Sequence, residues 1–234
     1  MRPGSREARK PRTFIEAARR AQIIEAAIDT IAEVGFAKAS LARIGARVGI
    51  SKGLIGYHFA GKDDLIEQVV LEVLEQGKAY MRPRIVDAMS TGSGFLRAYI
   101  ESNLDLMRER RNHMVAIVEI ERNGLTADGQ GRFHGHADAI DEAVQVLGGH
   151  LAHYQATGDL RPDFDPNVMA VAIRAATDAV LQRYTRDPDL DTDNYIREIV
   201  TIFDLATRIE AQYVTGRSPA SGPSSQINSL LQEP

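Results

Sequence analysis

The sequence predicts an all-α protein of about nine helices: an N-terminal three-helix helix-turn-helix domain and a larger C-terminal helical domain. Three observations predict this fold class. Apolar residues recur at helical spacing through most of the 234 residues, and no stretch alternates with the period of a β-strand. Gly, Pro and capping residues separate the apolar segments. The hydrophobic content of 44% is sufficient for a packed core.

The chain begins with a basic arm and a first helix. Residues 1–12 are basic and rich in Pro and Gly, which favours disorder. This arm either follows nucleic-acid phosphates or has no role. Apolar residues at helical spacing predict a helix from about Thr13 to Val34, and Gly35 is suited to end it with a positive φ.

Residues 40–62 have the layout of a helix-turn-helix. The apolar spacing predicts two short helices, over residues 41–48 and 52–59. Ser40 and Ser51 stand where N-caps belong, because each side chain can accept a hydrogen bond from an orphan backbone N–H. In such a motif the second helix enters a DNA major groove.

The turn and the two helix faces follow from the same stretch. Gly49 can take the positive φ that ends the first short helix. We expect the apolar side chains to point inward: Ala42, Ile44, Val48, Ile50, Ile55 and Phe59. The others are left to face outward: Arg43, Arg47, Lys52, Tyr57, His58 and Lys62. Gly45 and Gly56 should each weaken their helix by roughly 1 kcal/mol relative to Ala.

This stretch resembles the DNA-binding domain of the TetR/AcrR family of bacterial transcriptional regulators. The matching residues are Ser40, Ile44, the run Val48-Gly49-Ile50-Ser51-Lys52-Gly53, and Tyr57-His58-Phe59 followed by Lys62, Asp63 and Leu65. The sequence departs from the family at Gly45, where Ala is usual, and at Gly56, where Tyr is frequent. Gly56 lacks an aromatic group that commonly touches the DNA backbone, which leaves the contacts at positions 56 and 57 open.

The resemblance implies a ligand-responsive repressor that binds a palindromic DNA operator as a dimer and is released by a small-molecule effector. The alternative is an activator or global DNA-binding regulator without an effector. The residues expected to meet phosphates or base edges are Ser40, Arg43, Ser51, Lys52, Gly53, Leu54, Tyr57, His58 and Lys62. Residues 13–61 would form the DNA-binding domain and residues 62–214 an effector-binding and dimerisation domain, followed by a disordered tail over residues 215–234.

The C-terminal part is predicted to be helical throughout. A fourth helix should run from Lys62 to about Tyr80, where Arg82-Pro83 ends or kinks it. The further helices are expected over residues 84–89, 95–110, 112–122, 133–156, 166–184 and 192–214, with a break at residues 91–94 and a loop at residues 123–131. Asp165-Pro166 is a strong start signal, because an N-cap carboxylate precedes a proline at the first helical position.

Two sets of residues in the C-terminal part carry expected functions. The last two long helices are dense in small and apolar residues, which are either intrachain core or, as in the family, the homodimer interface: Val168, Ala172, Ala175, Ala176, Ala179, Val180, Ile196, Ile199, Val200, Phe203 and Ala206. A mixed set on the middle helices is expected to line the effector cavity, although each member could be ordinary core or surface: Phe95, Tyr99, Asn103, Met107, His113, Ile117, Glu121, Phe133, His136, Arg174, Thr177 and Asp178.

Charge is segregated along the chain although the net charge is only −4. Residues 1–62 carry 12 Lys/Arg and 5 Asp/Glu, a net +7, whereas residues 63–234 carry 16 and 27, a net −11. The positive charge lies where phosphates would be met, and the acidic remainder would help to orient the protein on DNA. A basic tail on an acidic domain is the plainer interpretation.

Other classes of protein find little support. The chain has no cysteine, no apolar signal segment and no apolar run of membrane-spanning length, which predicts a soluble cytoplasmic protein. The spacings His134-x-His136 and His150-x-x-His153 invite a metal site, but the first pair does not converge on a helix and we predict none. No phosphate-binding loop or nucleophile elbow is present, so we predict neither a cofactor nor an enzyme with an accessory DNA-binding head.

Overall fold

The computed structural model describes residues 14–123 and 134–209, with the backbone alone for residues 134–140. Every regular element in these ranges is helical, which confirms the all-α class. The predicted arm over residues 1–12, the tail over 215–234 and most of the loop over 123–131 lie outside the described residues. Within them, no helix combines the length and the apolar character that a membrane crossing requires.

Nine α-helices and a short 3-10 helix are seen in the described ranges. In chain order they are α1 (Phe14–Val34), the 3-10 helix (Phe36–Lys38), α2 (Leu41–Arg47), α3 (Lys52–His58), α4 (Lys62–Ala88), α5 (Gly92–Glu109), α6 (Arg111–Asn123), α7 (His134–Thr157), α8 (Pro166–Tyr184) and α9 (Thr192–Thr207). The predicted helices therefore exist, and most of their ends agree to within two residues.

Helix α4 is longer than predicted. It continues through Pro83 to Ala88 as one helix of 27 residues, so the predicted end near Tyr80 and the separate helix over residues 84–89 are wrong. Proline removes one backbone donor, and next to it the Arg84 guanidinium donates to the Tyr80 carbonyl at 2.9 Å. Packing along α5 also favours continuation.

The break predicted at residues 91–94 is a helix start. The Thr91 hydroxyl accepts a hydrogen bond from the Gly94 amide at 3.1 Å, so α5 begins at Gly92. A Cβ on Gly92 would lie 2.8 Å from the Leu160 side chain, which explains a glycine inside the first turn. Close packing, which the sequence does not display, therefore places this glycine within the helix.

Helix α9 is shorter than predicted. It ends at Thr207 rather than Val214, because Arg208 has extended backbone dihedrals. Arg161 stabilises this end: its amide donates to the Thr207 carbonyl at 2.9 Å, and its Nε donates to the Ala206 carbonyl at 2.6 Å. Residues 210–214 lie outside the described residues.

Buried apolar side chains form two clusters. The head cluster joins α1, α2, α3, the first half of α4 and α6, and includes Ile23, Ile28, Ile44, Ile55, Phe59, Leu65, Val69, Ile117 and Ile120. The body cluster joins α5, α7, α8 and α9, and includes Phe95, Leu96, Leu104, Leu147, Leu151, Ile173, Val180, Ile199 and Phe203. Met114 of α6 packs against both.

Candidate DNA interface and effector region

The helix-turn-helix forms as its local signals predict. The Ser40 hydroxyl accepts from the Arg43 amide at 3.2 Å, and the Ser51 hydroxyl accepts from the Leu54 amide at 3.2 Å. Gly49 has a φ of +69°, a left-handed conformation that favours glycine. Two N-caps and one left-handed residue therefore set the angle between α2 and α3.

The two unusual glycines have different roles. A Cβ on Gly45 would lie 2.6 Å from the Ile50 carbonyl oxygen, a backbone atom that cannot give way. A Cβ on Gly56 would meet nothing within 4 Å. Gly45 therefore permits the close approach of the turn to α2, a role that was not predicted from the sequence beside its expected cost in helix propensity.

Most of the residues predicted to contact DNA are exposed. Ser40, Arg43, Ser51, Lys52, Gly53, Leu54 and Tyr57 are exposed, whereas His58 and Lys62 are half-buried. The prediction that Ala42 points inward is wrong, because its side chain is exposed on α2. Tyr57 has 70% of its surface accessible, compared with 42% for Leu54.

Two outward side chains contact acidic residues of α1. The Tyr57 hydroxyl lies 3.2 Å from a carboxylate oxygen of Glu16, to which it donates. Arg47 donates to Glu33 at 2.7 Å and lies 3.6 Å from Asp29. The hydrogen bond to Glu33 raises the pKa of Arg47 more than its desolvation lowers it, and the charge of Asp29 raises it further. Arg47 is thus held against α1.

Lys62 does not face outward freely as predicted. Its Nζ donates to the Phe36 carbonyl at 2.7 Å and lies 4.2 Å from the centroid of the Phe36 ring. The start of α4 is thereby tied to the 3-10 helix beneath α2. The long, flexible side chain of lysine allows this contact with a residue 26 positions earlier in the chain, and nothing in the local sequence indicates the contact.

Sequence reasoning also missed Arg20, a buried charge on α1. Its guanidinium donates to the His58 carbonyl, lies 3.3 Å from the Gln68 side-chain oxygen and stacks 4.1 Å from the centroid of Phe59. The available signal was spacing, because Arg20 precedes Ile23 and Ile24 by three and four positions on the apolar face of the helix. Arg20 fixes the end of α3 against the scaffold.

The residues predicted to line an effector cavity are divided between the two clusters. Phe95 and Met107 belong to the body cluster, whereas Ile117 belongs to the head cluster. His113 is buried and lies 3.5 Å from Glu25 of α1. The side chains of Phe133 and His136 lie outside the described residues.

Several polar members of that set meet around Arg174, where α8 packs against α5. Arg174 donates to Asn103 Oδ1 at 3.3 Å and to Asp178 Oδ1 at 3.0 Å, and the Thr177 hydroxyl donates to the Arg174 carbonyl. Burial alone would lower the pKa of Arg174, but Tyr99, Asp178 and Glu121 together raise it. This Arg174 cluster comprises Tyr99, Asn103, Glu121, Arg174, Thr177 and Asp178.

An apolar surface covers part of α8 and α9. On α8 the side chains of Val168, Ala172, Ala175 and Ala179 are exposed, as predicted for an interface, and Val171 is exposed as well. The predicted residue Val180 of α8 is buried in the body cluster, as are Ile199, Val200 and Phe203 of α9. On α9, Ile202 and Leu205 are exposed instead. The exposed members form the α8–α9 face: Val168, Val171, Ala172, Ala175, Ala179, Ile202 and Leu205.

Comparison with known sequences identifies the N-terminal part. Residues 23–69 match the family model for bacterial regulatory proteins of the tetR family. The chain is 38% identical over 96 residues to the HTH-type transcriptional regulator BetI 1 of Chromohalobacter salexigens, covering 41% of this chain and 47% of that protein. The chain therefore spans about half the length of the curated relatives it matches.

Solved structures share the fold over most of the chain. SmeT, the repressor of the Stenotrophomonas maltophilia multidrug efflux pump SmeDEF, superposes with a TM-score of 0.66 at 21% identity, covering 87% of this chain and 97% of that one. The transcriptional regulator FadR from Bacillus subtilis, in complex with stearoyl-CoA, gives a TM-score of 0.68 at 19% identity, covering 78% and 96%. At these identities the likeness establishes the fold.

Proposed function

Given that the chain belongs to the TetR family of bacterial transcriptional regulators, we propose that it is a repressor that binds a palindromic operator as a homodimer. A small-molecule effector binding to residues 62–214 releases it from DNA, which it meets in the cytoplasm through residues 13–61. The observation that carries the proposal is the capped α2–turn–α3 unit with a continuous exposed surface on α3.

The proposed DNA contacts follow from exposure and charge. Lys52 and Arg43 supply positive charge beside the exposed Ser40, Ser51, Gly53 and Leu54, and phosphate contacts of this kind position a helix in the groove. Tyr57 is the side chain best placed to reach a base edge, and His58 lies beside it with ring centroids 5.1 Å apart. To reach DNA, the Tyr57 hydroxyl exchanges Glu16 for a phosphate or a base.

Dimer formation is supported by the α8–α9 face. Val168 is 67% exposed and Ile202 is 57% exposed, and exposed apolar residues on two helices favour an interaction site. One helix-turn-helix makes too few contacts to select one site in a genome, whereas a two-fold dimer reads two half-sites about 34–36 Å apart. A second copy of this chain is therefore the proposed occupant of the face.

The effector part of the proposal rests on analogy together with one structural link. SmeT is named as a repressor, and the FadR of similar fold was solved with stearoyl-CoA. In this chain α6 contributes Ile117 and Ile120 to the head cluster, while its Glu121 lies near Arg174 of the body. A ligand that moves α6 would therefore act on the scaffold beneath α2 and α3.

Selection of DNA from a random library tests the proposal. The full chain should enrich an inverted repeat, because two α3 helices related by two-fold symmetry read the same half-site. The variant Val171→Glu places a charge in the α8–α9 face and should sediment as a monomer that binds the selected repeat at least about tenfold more weakly. Enrichment of single, unpaired sites by the unmodified chain would contradict the dimeric operator.

The selected DNA also distinguishes a repressor with an effector from an activator or global regulator without one. A metabolite library added to the protein–operator complex should contain compounds that release the protein, and native mass spectrometry should find those compounds bound. Transcription from a promoter carrying the selected repeat should fall when the protein is present. A rise in transcription, or the absence of any releasing compound, would favour the activator or global regulator.

A further inference from the structure

The Arg174 cluster leaves one strong hydrogen-bond donor unused. Arg174 extends from α8 toward α5, where its two terminal nitrogens donate to Asn103 and Asp178. Its Nε is buried and has no hydrogen-bond partner among the described residues. An unsatisfied buried donor costs roughly 1–3 kcal/mol, and the cost is greater on a charged group. Buried donors in proteins are nearly always hydrogen-bonded, so we expect a ligand to supply an acceptor for this Nε.

The geometry of guanidinium determines which acceptor fits. Nε and the adjacent terminal nitrogen form an edge that matches the two oxygens of a carboxylate, giving two parallel hydrogen bonds. On Arg174 the terminal nitrogen NH2 donates to Asp178 while Nε is unused. Asp178 holds it at 3.0 Å with one oxygen, and 46% of the Asp178 side chain is exposed. Asp178 can therefore turn to solvent when a better-placed anion arrives.

Through Tyr99, the Arg174 cluster adjoins the apolar and aromatic residues of the body cluster. Tyr99 contributes to the raised pKa of Arg174, and its ring lies 6.3 Å from that of Phe95. Phe95 and the preceding residue of α8, Ile173, are both buried in the body cluster. A ligand that pairs with Arg174 would place the rest of its atoms against these side chains.

We propose that Arg174 binds the carboxylate of the effector, and that the effector is an organic acid with an apolar body. The inference rests on the proposed effector function and gives it a ligand class. The carboxylate accepts hydrogen bonds from Nε and NH2 of Arg174. It replaces Asp178 at NH2, so the negative charge around Arg174 does not increase. Asn103 keeps the other terminal nitrogen in place, which fixes the plane of the guanidinium.

Other ligand classes fit these groups less well. A cationic ligand would be repelled by the charge of Arg174, and the carboxylate of Asp178 is already paired with that charge at 3.0 Å. A neutral alcohol offers one oxygen where the guanidinium edge presents two donors. A carboxylate matches both the charge and the spacing of that edge.

Matched probe pairs test the inference on the full chain. The probes are carboxylates and their primary amides with aliphatic and aromatic tails, starting from phenylbutyrate and phenylbutyramide. Isothermal titration calorimetry should give carboxylates that bind at least about tenfold more tightly than their amides, since a charge-assisted bidentate pair replaces a neutral contact. Equal affinity of both members, a preference for amides, or no binding by any pair would overturn the inference.

Variants with opposite expected effects separate binding from folding. Arg174→Lys keeps the positive charge and a similar volume but removes the pair of adjacent N–H donors. It should weaken carboxylate binding about tenfold or more. Asp178→Asn removes the competing anion and should strengthen carboxylate binding severalfold. If the Arg174–Asp178 ion pair had a purely structural role, both variants would bind the carboxylate more weakly. Arg183→Gln, an exposed arginine on the same helix, is the control and should leave binding unchanged.

Affinity for the selected operator, measured on the same preparations without probes, separates this inference from the proposed function. Operator binding without a preference for carboxylates overturns the ligand class and leaves the regulator intact. Carboxylate binding by a protein that selects no DNA overturns the proposed function and leaves the Arg174 site.

Discussion

The two apolar clusters are assembled differently. The body cluster takes its helices, α5, α7, α8 and α9, from the C-terminal part of the chain. The head cluster takes α1 to α3 and the start of α4, but also α6, which is separated from them in sequence by the whole of α5. Three buried residues of α6 complete the head: Ala116, Ile117 and Ile120.

This difference shows that packing need not follow the order of the chain. A boundary after residue 61, which the helix-turn-helix motif predicts, separates the elements that would meet DNA from the rest. The head cluster extends past it through α4 and α6, and Met114 touches both clusters. We infer that α6 is the element through which the stability of the head depends on the body.

Ile120→Ala should have the largest effect on this arrangement. Ile120 is 2% exposed, and truncating such a side chain leaves a cavity that costs about 2–5 kcal/mol of unfolding free energy. Chemical denaturation followed by circular dichroism measures the loss. Val86→Ala, at a residue 55% exposed on α4, is the control and should change stability by less than about 0.5 kcal/mol.

The location of the damage tests whether α6 belongs to the head. Hydrogen exchange of Ile120→Ala should show lost protection in α1 and α4, whose side chains share its cluster. Lost protection confined to α5 and α8 would place α6 with the body and contradict the comparison.

Gly45→Ala should destabilise the head by about 1–3 kcal/mol, because its Cβ would overlap the Ile50 carbonyl and force the turn away from α2. Gly56→Ala is the matched change on α3, where the Cβ meets open space, and it should stabilise by about 0.5–1 kcal/mol. Thermal denaturation of both variants measures the contrast. Stabilisation by both would mean that helix propensity alone decides, as the sequence suggests.

Lys62→Ala should cost about 1–2 kcal/mol, since it removes the hydrogen bond to the Phe36 carbonyl and the contact with the Phe36 ring. The loss should appear without DNA, in the thermal denaturation of the protein alone. Lys62→Met keeps the apolar part of the side chain and should recover a fraction of it. Unchanged stability of Lys62→Ala would leave the side chain available for the phosphate contact that the family resemblance implies.

Local sequence signals predicted the helix-turn-helix, but they could not predict contacts between residues that are distant in the sequence. Ser40, Ser51 and Gly49 act on atoms a few residues away, so their roles are visible in the sequence. Gly45 and Lys62 act on partners brought near by the turn or by packing, and no spacing rule reports these. Periodicity likewise identifies an apolar face without saying what covers it, which is why α6 could not be assigned to the head and the α9 interface residues were misplaced.

The smallest effect on stability, and the clearest on DNA, is expected from Lys52→Ala. Lys52 is exposed at the first position of α3, so its removal should leave the unfolding free energy within about 0.5 kcal/mol. If it meets a phosphate, affinity should fall similarly for all DNA sequences, and the slope of log affinity against log salt should flatten by about one unit. Fluorescence anisotropy across a salt series measures both. A change in sequence preference at a constant slope would instead make Lys52 a base-reading residue. In either case Lys52 would act on DNA, whereas Lys62, ten positions along the chain, acts on the stability of the protein.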